Sequence, residues 1–349
     1  MSDKYNLMVG PDPKAQGGMA TWAKSAAAAG VFEQLNIRYI ASHIDAALPF
    51  KLIRALQCYV QVLFALISGR VNVLHIHVAT GVSWWRKWVI IFLAQCFSCP
   101  YILHLHGGSF PKYYAKNQNR FGGRQFKKSL AKAKFVLVLS PDWLEWVASV
   151  ALEANCVVLP NAVEIQTNPK LNSNYKQWLF LGRLSREKGL IELLSATAIV
   201  FKQHADIVLN LGGDGDFSWV KQQIADLGLE KNVSVLGWVN HDEKLRCLDE
   251  AGLLILPSHI EALPFVILEA MAAHRLVIAS QVGGIEWVLE SGKAGVLIPP
   301  KSHIDLSLAL LSAIENPAQS DAIAACGYQR AKDLFSFQKM CSVLKELYA

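Results

Sequence analysis

The chain has 349 residues, more than the ~250–300 at which a single hydrophobic core stops growing, so two domains are expected. A content of 52% apolar and 18% charged residues excludes a disordered chain and suits parallel strands buried between helices. The net charge of +6 excludes a uniformly acidic surface and hides an asymmetry, since residues 1–164 carry 17 Lys/Arg to 8 Asp/Glu, or +9, and the remainder 17 to 20, or −3.

At the start, Ser2, Asp3 and Lys4 precede a strand-like run from Tyr5 to Val9. Nothing there resembles a signal peptide, and the protein is expected to stay cytoplasmic. A loop follows, Gly10-Pro11-Asp12-Pro13-Lys14-Ala15-Gln16-Gly17-Gly18-Met19. Its Gly17 and Gly18 permit positive φ and close approach of backbone to a ligand, although a plain turn explains them equally well. The loop lacks the G-x-G-x-x-G of nicotinamide cofactors.

Further strands are expected at Ile37 to Ala41, Val71 to Ile76, Tyr101 to Leu105, Phe135 to Leu139 and Val157 to Leu159, alternating with helix-length segments in the manner of β-α-β units. The apolar stretches Ala55 to Ser68 and Trp88 to Phe97 fall short of the ~20 residues that cross a bilayer, so no transmembrane helix is expected. Two H-x-H pairs, His75/His77 and His104/His106, end neighbouring strands, and the two-residue period turns each pair to one face. Zinc would suit such pairs, but carboxylates to complete a site are scarce in this half, and no metal is expected. His106 precedes Gly107-Gly108 and is placed to hydrogen-bond a ligand at the strand's carboxyl end.

From Lys112 to Lys134 there are eight cations and no acid, with Tyr113, Tyr114, Phe121 and Phe126 interleaved. A solvated basic helix, an anionic lipid surface and single-stranded nucleic acid all suit that composition. Trp84, Trp85 and Trp88 beside Arg86 and Lys87 favour the lipid surface, since Trp next to cations is an interfacial composition. Buried packing also explains those tryptophans. Seven cysteines are scattered along the chain, with Cys96 and Cys99 as the one C-x-x-C, and buried free thiols are expected.

A stretch of turn formers from Pro160 to Lys176 marks the domain boundary, with domains expected at 1–165 and 166–335. In the second half the strands are expected at Trp178 to Leu181, Ile207 to Leu211, Val233 to Leu236, Leu253 to Leu256, Leu276 to Ala279 and Gly295 to Ile298. The first is followed by Gly182-Arg183-Leu184-Ser185-Arg186-Glu187-Lys188-Gly189, where Arg183 and Lys188 are spaced to meet one anionic group. The second is followed by the Gly-rich turn Gly212-Gly213-Asp214-Gly215-Asp216, a backbone contact for a phosphate or base through Gly213.

The fourth strand leads to Ser258-His259-Ile260-Glu261-Ala262-Leu263-Pro264-Phe265 and on to Glu269. Glu261 then lies on a loop at the carboxyl end of a strand, where open α/β sheets bind ligands. Pro264 fits the first helical position, leaving the amides of Leu263, Phe265 and Val266 at a positively polarised helix end that suits a phosphate. Glu269 sits about one and a half turns further on, where a carboxylate suits a ribose diol. Taken singly, each of these elements also fits an ordinary surface or turn. Phe337, Met340, Val343, Leu344 and Leu347 follow helical spacing, and predict a helix over 336–349.

Together these residues resemble the retaining glycosyltransferases of family 4, with Glu261 and Glu269 as the E-x7-E element, Gly182, Arg183, Lys188 and Gly189 as the G-R-x-x-x-x-K-G stretch, Gly17 and Gly18 in the N-terminal loop, and His106-Gly107 as the H-G turn. The resemblance implies an α/β chain of GT-B fold, with two Rossmann-like doubly wound parallel sheets facing a cleft and the terminal helix returning to the first. It implies that Arg183 and Lys188 hold a diphosphate, Glu269 binds a ribose, Glu261 contacts the donor sugar, His106 orients it, and Gly17, Gly18, Gly213, Leu263, Pro264 and Phe265 line the donor. Where the family has E-G-F-G, this chain has Glu261-Ala262-Leu263-Pro264.

The expected activity is metal-independent transfer of a sugar, with retention, from a nucleotide-sugar to a glycan or polyprenyl-linked acceptor in cell-surface polysaccharide synthesis. UDP-sugars are favoured over GDP-sugars as donors, and no cofactor is expected. The expected location is the inner face of the cytoplasmic membrane, reached through the basic first domain without nucleic acid. A catalytically inactive membrane scaffold and a metal-dependent hydrolase are the alternatives.

Overall fold

A computed structural model describes residues 4–15 and 17–349; Ser2, Asp3 and Gln16 lie outside them. The chain forms two compact units, Met1–Ala162 with Phe337–Ala349, and Val163–Ser336. Each contains one six-stranded sheet, and every strand pair is parallel.

In the first unit the strands are β1 (Tyr5–Gly10), β2 (Ile37–Ala41), β3 (Val71–Val78), β4 (Tyr101–Leu105), β5 (Phe135–Val138) and β6 (Cys156–Val158). Their order is β2-β1-β3-β4-β5-β6. In the second they are β7 (Gln177–Leu181), β8 (Val208–Gly212), β9 (Val233–Gly237), β10 (Leu253–Leu256), β11 (Leu276–Ser280) and β12 (Val296–Ile298). Their order is β12-β11-β10-β7-β8-β9. Both arrangements are doubly wound, as expected. The central strand β10 is buried along its whole length, which is why it reads as an unbroken apolar run rather than as an alternating one.

The order in the second sheet reverses between β7 and β10. Connections leaving those two strands depart to opposite faces, and the carboxyl ends between them form the crevice in which open α/β sheets take ligands. The loops holding Arg183 and Glu261 leave these two neighbours.

The terminal helix, Phe337–Tyr348, belongs to the first unit and buries Met340, Leu344, Leu347 and Tyr348. Its end is tied down by polar contacts: Asn72 Nδ2 donates to Tyr348 O at 2.7 Å, and Tyr348 Oη lies 2.6 Å from His75 Nδ1.

Two local expectations are corrected. The apolar segment at Ala55 to Ser68 belongs to a helix running Leu48–Ile67, 20 residues, long and apolar enough by length and composition to cross a membrane. Pro49 starts it, and the helix carries on through Lys51 and Arg54, which break the apolar run in the sequence but not the backbone. Pro264 is the N-cap, with φ −72° and ψ 128°, and Phe265 is the first helical residue.

Candidate active site

The loop after β7 is fixed by its neighbours. Gly182 N donates to Gly212 O at 2.9 Å and Leu184 N to Asp214 O at 2.6 Å, joining it to the turn after β8. Gly213 has φ +146°, and a Cβ there would stand 1.8 Å from Gly182 O. Its missing side chain is therefore used by the chain itself, which accounts for a glycine at this place whether or not a ligand also approaches it.

A short 3₁₀ turn, Arg186–Lys188, ends in Gly189 with φ +74°. A Cβ on Gly189 would lie 1.9 Å from Pro257 O, so the loops after β7 and β10 cross at this point with no room for a side chain. His259 N donates to Glu187 O at 2.9 Å and completes the seam.

Along that seam Lys188 Nζ approaches Glu261 Oε1 at 2.5 Å, and Ser258 Oγ donates to the same oxygen at 2.8 Å. Glu261 is largely covered, with 11% of its side chain exposed. A carboxylate shielded from water in this way needs the two donors that it has. Arg183 differs: 67% of its side chain is exposed, and its nearest acid, Asp214, lies 3.8 Å away. It remains available for a second anion.

The helix that follows, Phe265–Ala272, has no side-chain cap and no acid in its first turn. Its first backbone amides keep their partial positive charge for whatever lies before them. Further along the helix, Glu269 Oε1 accepts from Lys244 Nζ at 2.5 Å. Lys244 escaped the sequence reading, as did the pair His259 Nε2 and Glu192 Oε1 at 3.1 Å. Asn240 and Glu243 form a capping box that makes the start of the Lys244 helix legible, but nothing in the sequence points to its pairing with Glu269.

In the first unit the N-terminal loop delivers Gly17 as N-cap of the helix Gly18–Ala28, with φ 112° and no side-chain cap. Gly17 O accepts from Ala20 N and Thr21 N at 3.1 and 3.0 Å.

His75, His77, His104 and His106 are all buried and form one ladder. Rings of His75 and His77 stack at 4.8 Å, and those of His104 and His106 lie 4.1 Å apart. His77 Nδ1 meets His106 Nε2 at 2.8 Å, and His75 Nε2 meets His104 Nδ1 at 3.3 Å. Burial pushes all four imidazoles well below the usual histidine range, His104 to about 3. They are neutral, and each contact joins the N–H of one ring to the lone pair of another. Ligand atoms of His75, His77 and His104 lie within 4.8 Å of one another, and among the described residues no carboxylate joins them. His106 has committed Nε2 to His77 and keeps Nδ1 for any further partner.

Residues 161–330, nearly all of the second unit, match the family Glycosyl transferases group 1. The second unit is thus similar to the group 1 glycosyl transferases. Within the matched residues lie Arg183, Lys188, Gly213, Glu261 and Glu269. Among curated relatives, a glycogen synthase of Mycobacterium tuberculosis is 29% identical over 171 residues, 49% of this chain and 41% of that protein. The amylovoran biosynthesis glycosyltransferase AmsK of Erwinia amylovora is 24% identical over 278 residues, 75% of this chain and 64% of its own. The chain thus spans less than two thirds of the length of either. A solved structure of HepE from Anabaena, in complex with UDP and glucose, superposes with a TM-score of 0.75 at 18% identity, covering 98% of both chains. That likeness shows the fold alone, from one end of the chain to the other.

Proposed function

We propose that the protein is a glycosyltransferase that moves a sugar, with retention and without a metal, from a nucleotide-sugar to a glycan or lipid-linked glycan in cell-surface polysaccharide synthesis. The observation that carries this reading is the Lys188–Glu261 pair at 2.5 Å, set on the two loops that leave the sheet where its strand order reverses. The group 1 match of the same unit and the UDP and glucose held by HepE support a nucleotide-sugar as donor, with UDP favoured. AmsK, named for amylovoran biosynthesis, supports the polysaccharide assignment.

The chemistry follows from charge. As the bond between the anomeric carbon and the diphosphate oxygen breaks, negative charge grows on the leaving nucleoside diphosphate. Exposed Arg183, Lys188 and the uncapped end of the Phe265–Ala272 helix stabilise that charge through preorganised donors. The acceptor hydroxyl bonds to the anomeric carbon from the side the diphosphate leaves, and its proton passes to a departing phosphate oxygen. Glu261, held by Lys188 and Ser258, contacts the sugar hydroxyls, and Glu269, steadied by Lys244, accepts from the ribose diol.

Incubating the purified protein with UDP-, GDP- and ADP-sugars and measuring slow donor hydrolysis tests the reading. Release of UDP is expected. Stabilisation by UDP-sugar without turnover on any acceptor would instead make the chain a scaffold, and neither binding nor hydrolysis of any donor would overturn the assignment.

A further inference from the structure

The helix Leu48–Ile67 carries two apolar faces. One, Ala55, Cys58, Val62 and Leu66, is buried in the first unit, where the helix packs on β2 and on the helix Val82–Cys96. At ~100° per residue the opposite face is Ile53, Leu56, Val60, Phe64 and Ile67, exposed by 52, 63, 43, 67 and 59%. Phe50 and Leu52 flank it, and Leu48 is exposed at the helix start. Single exposed apolar residues are ordinary, but a continuous stripe over about four turns is a binding surface.

The adjoining helix Val82–Cys96 adds to it. Val82, Trp85 and Phe92 are exposed there, and Phe121 beside them. Trp85 and Phe121 stack at 6.3 Å, and Trp88 lies 5.9 Å from Phe121 and 6.1 Å from Phe92. Tryptophan grouped on a surface in this way is the composition of a membrane-water boundary.

Charge identifies the occupant. From Ala46 to Pro141 the chain has 13 Lys/Arg and not one Asp or Glu. These 96 consecutive residues comprise both helices and the basic Lys112 to Lys134 stretch, whose cations are exposed apart from the half-buried Lys134. A second copy docking by the same patch would bring these cations against their own images. An anionic bilayer meets both the apolar stripe and the charge.

We propose that the Leu48–Ile67 helix lies in the plane of an anionic membrane, sinking Ile53, Leu56, Val60, Phe64 and Ile67 among the acyl chains while the surrounding Lys and Arg hold the headgroups. This deepens the reading of a lipid-linked acceptor by giving the first unit its own lipid contact. The in-plane orientation keeps the face of Cys58 and Val62 packed against its own sheet, which a spanning orientation would strip away.

Flotation of the full chain with phosphatidylcholine vesicles, with and without phosphatidylglycerol, tests it in the absence of any sugar donor. Binding to the anionic vesicles is expected, together with at least about a tenfold loss of partitioning in L56E/F64E and an unchanged thermal melt. Should the glutamates unfold the chain, F64Q/I67Q gives the same readout without added charge. No flotation of the wild type, or equal flotation of the variants, overturns the proposal. It is likewise overturned by a lipid-free dimer in light scattering that L56E/F64E converts to monomer, which would assign the stripe to a second copy. Donor hydrolysis is read separately, so failure on vesicles leaves the donor assignment standing, and failure of hydrolysis leaves the membrane assignment standing.

Discussion

Lys188 Nζ stands 2.5 Å from Glu261 Oε1, a bond between side chains 73 residues apart that spans the gap between β7 and β10. The two residues come from loops that also share the Gly189–Pro257 crossing. The backbone crossing therefore brings the two loops together, and the side chains complete the pair.

Arg183 and Glu269 should respond differently to truncation. Among the described residues Arg183 has no ion-pair partner nearer than Asp214 at 3.8 Å, and in the proposed mechanism it meets a group whose charge grows as the bond breaks. Arg183→Ala is expected to lower kcat about a hundredfold. Glu269→Ala removes a contact made equally before and during reaction, and is expected to raise KM for the donor with kcat nearly kept. Steady-state kinetics with a UDP-sugar reads both, and equal small effects would remove these residues from the site.

Gly189→Ala tests the crossing. With φ +74° and Pro257 O only 1.9 Å from the added Cβ, the β7 or β10 loop must move, at a cost of at least about 2 kcal/mol. A lower midpoint in urea together with loss of the UDP-induced thermal shift is expected. Gly69→Ala, also at positive φ (+65°) but with nothing within 4 Å, should lose only the smaller backbone contribution and keep the shift.

Much of the fold is legible in the sequence because buried parallel strands are short β-branched runs with turn formers between them, and Leu253 to Leu256 and Ile37 to Ala41 fall where they were expected. The site loops are legible for the same reason, since Arg183 and Glu261 each follow such a run. Partners across the unit are not legible: nothing local couples Lys244 to Glu269 or Lys188 to Glu261, because strand order decides which loops become neighbours. The length of the Leu48–Ile67 helix escapes as well, since Lys51 and Arg54 divide the apolar pattern while leaving helix propensity intact.

Lys87 is fully buried with its ammonium donating to Ser42 Oγ, and burial lowers its pKa to about 7. An unfolded chain holds that proton up to the ordinary lysine value of about 10.5, so between 7 and 10.5 unfolding takes up a proton. Stability therefore rises with pH across that window and is poorest, on this account, below it. Lys87→Met is expected to raise the melting temperature at pH 7, with the advantage shrinking toward pH 10.5. Ser42 keeps its bond to Gly10 O. A gap between variant and wild type that is constant with pH would mean Lys87 stays charged in the fold.

The histidine ladder makes the opposite edge of the pH range costly. Burial holds His75, His77, His104 and His106 neutral, and Lys87 adds to the lowering at His77. Below about 6.5, the ordinary histidine value, the unfolded chain binds protons that the folded chain refuses. The ladder's contribution is complete above that pH and is lost as pH falls through the lowered values. Tyr348, on the terminal helix, is the partner of His75 Nδ1 at 2.6 Å, so removing its hydroxyl leaves a buried ring nitrogen unpaired. Tyr348→Phe is expected to cost about 1–2 kcal/mol at pH 7.5 and to loosen the terminal helix first. Melts of both proteins from pH 7.5 to pH 5 should therefore fall steeply in parallel, with the variant lower throughout. A flat profile below pH 6.5 would mean that the four rings gain protons in the folded state, which their mutual contacts at 2.8 and 3.3 Å do not allow without one ring turning away.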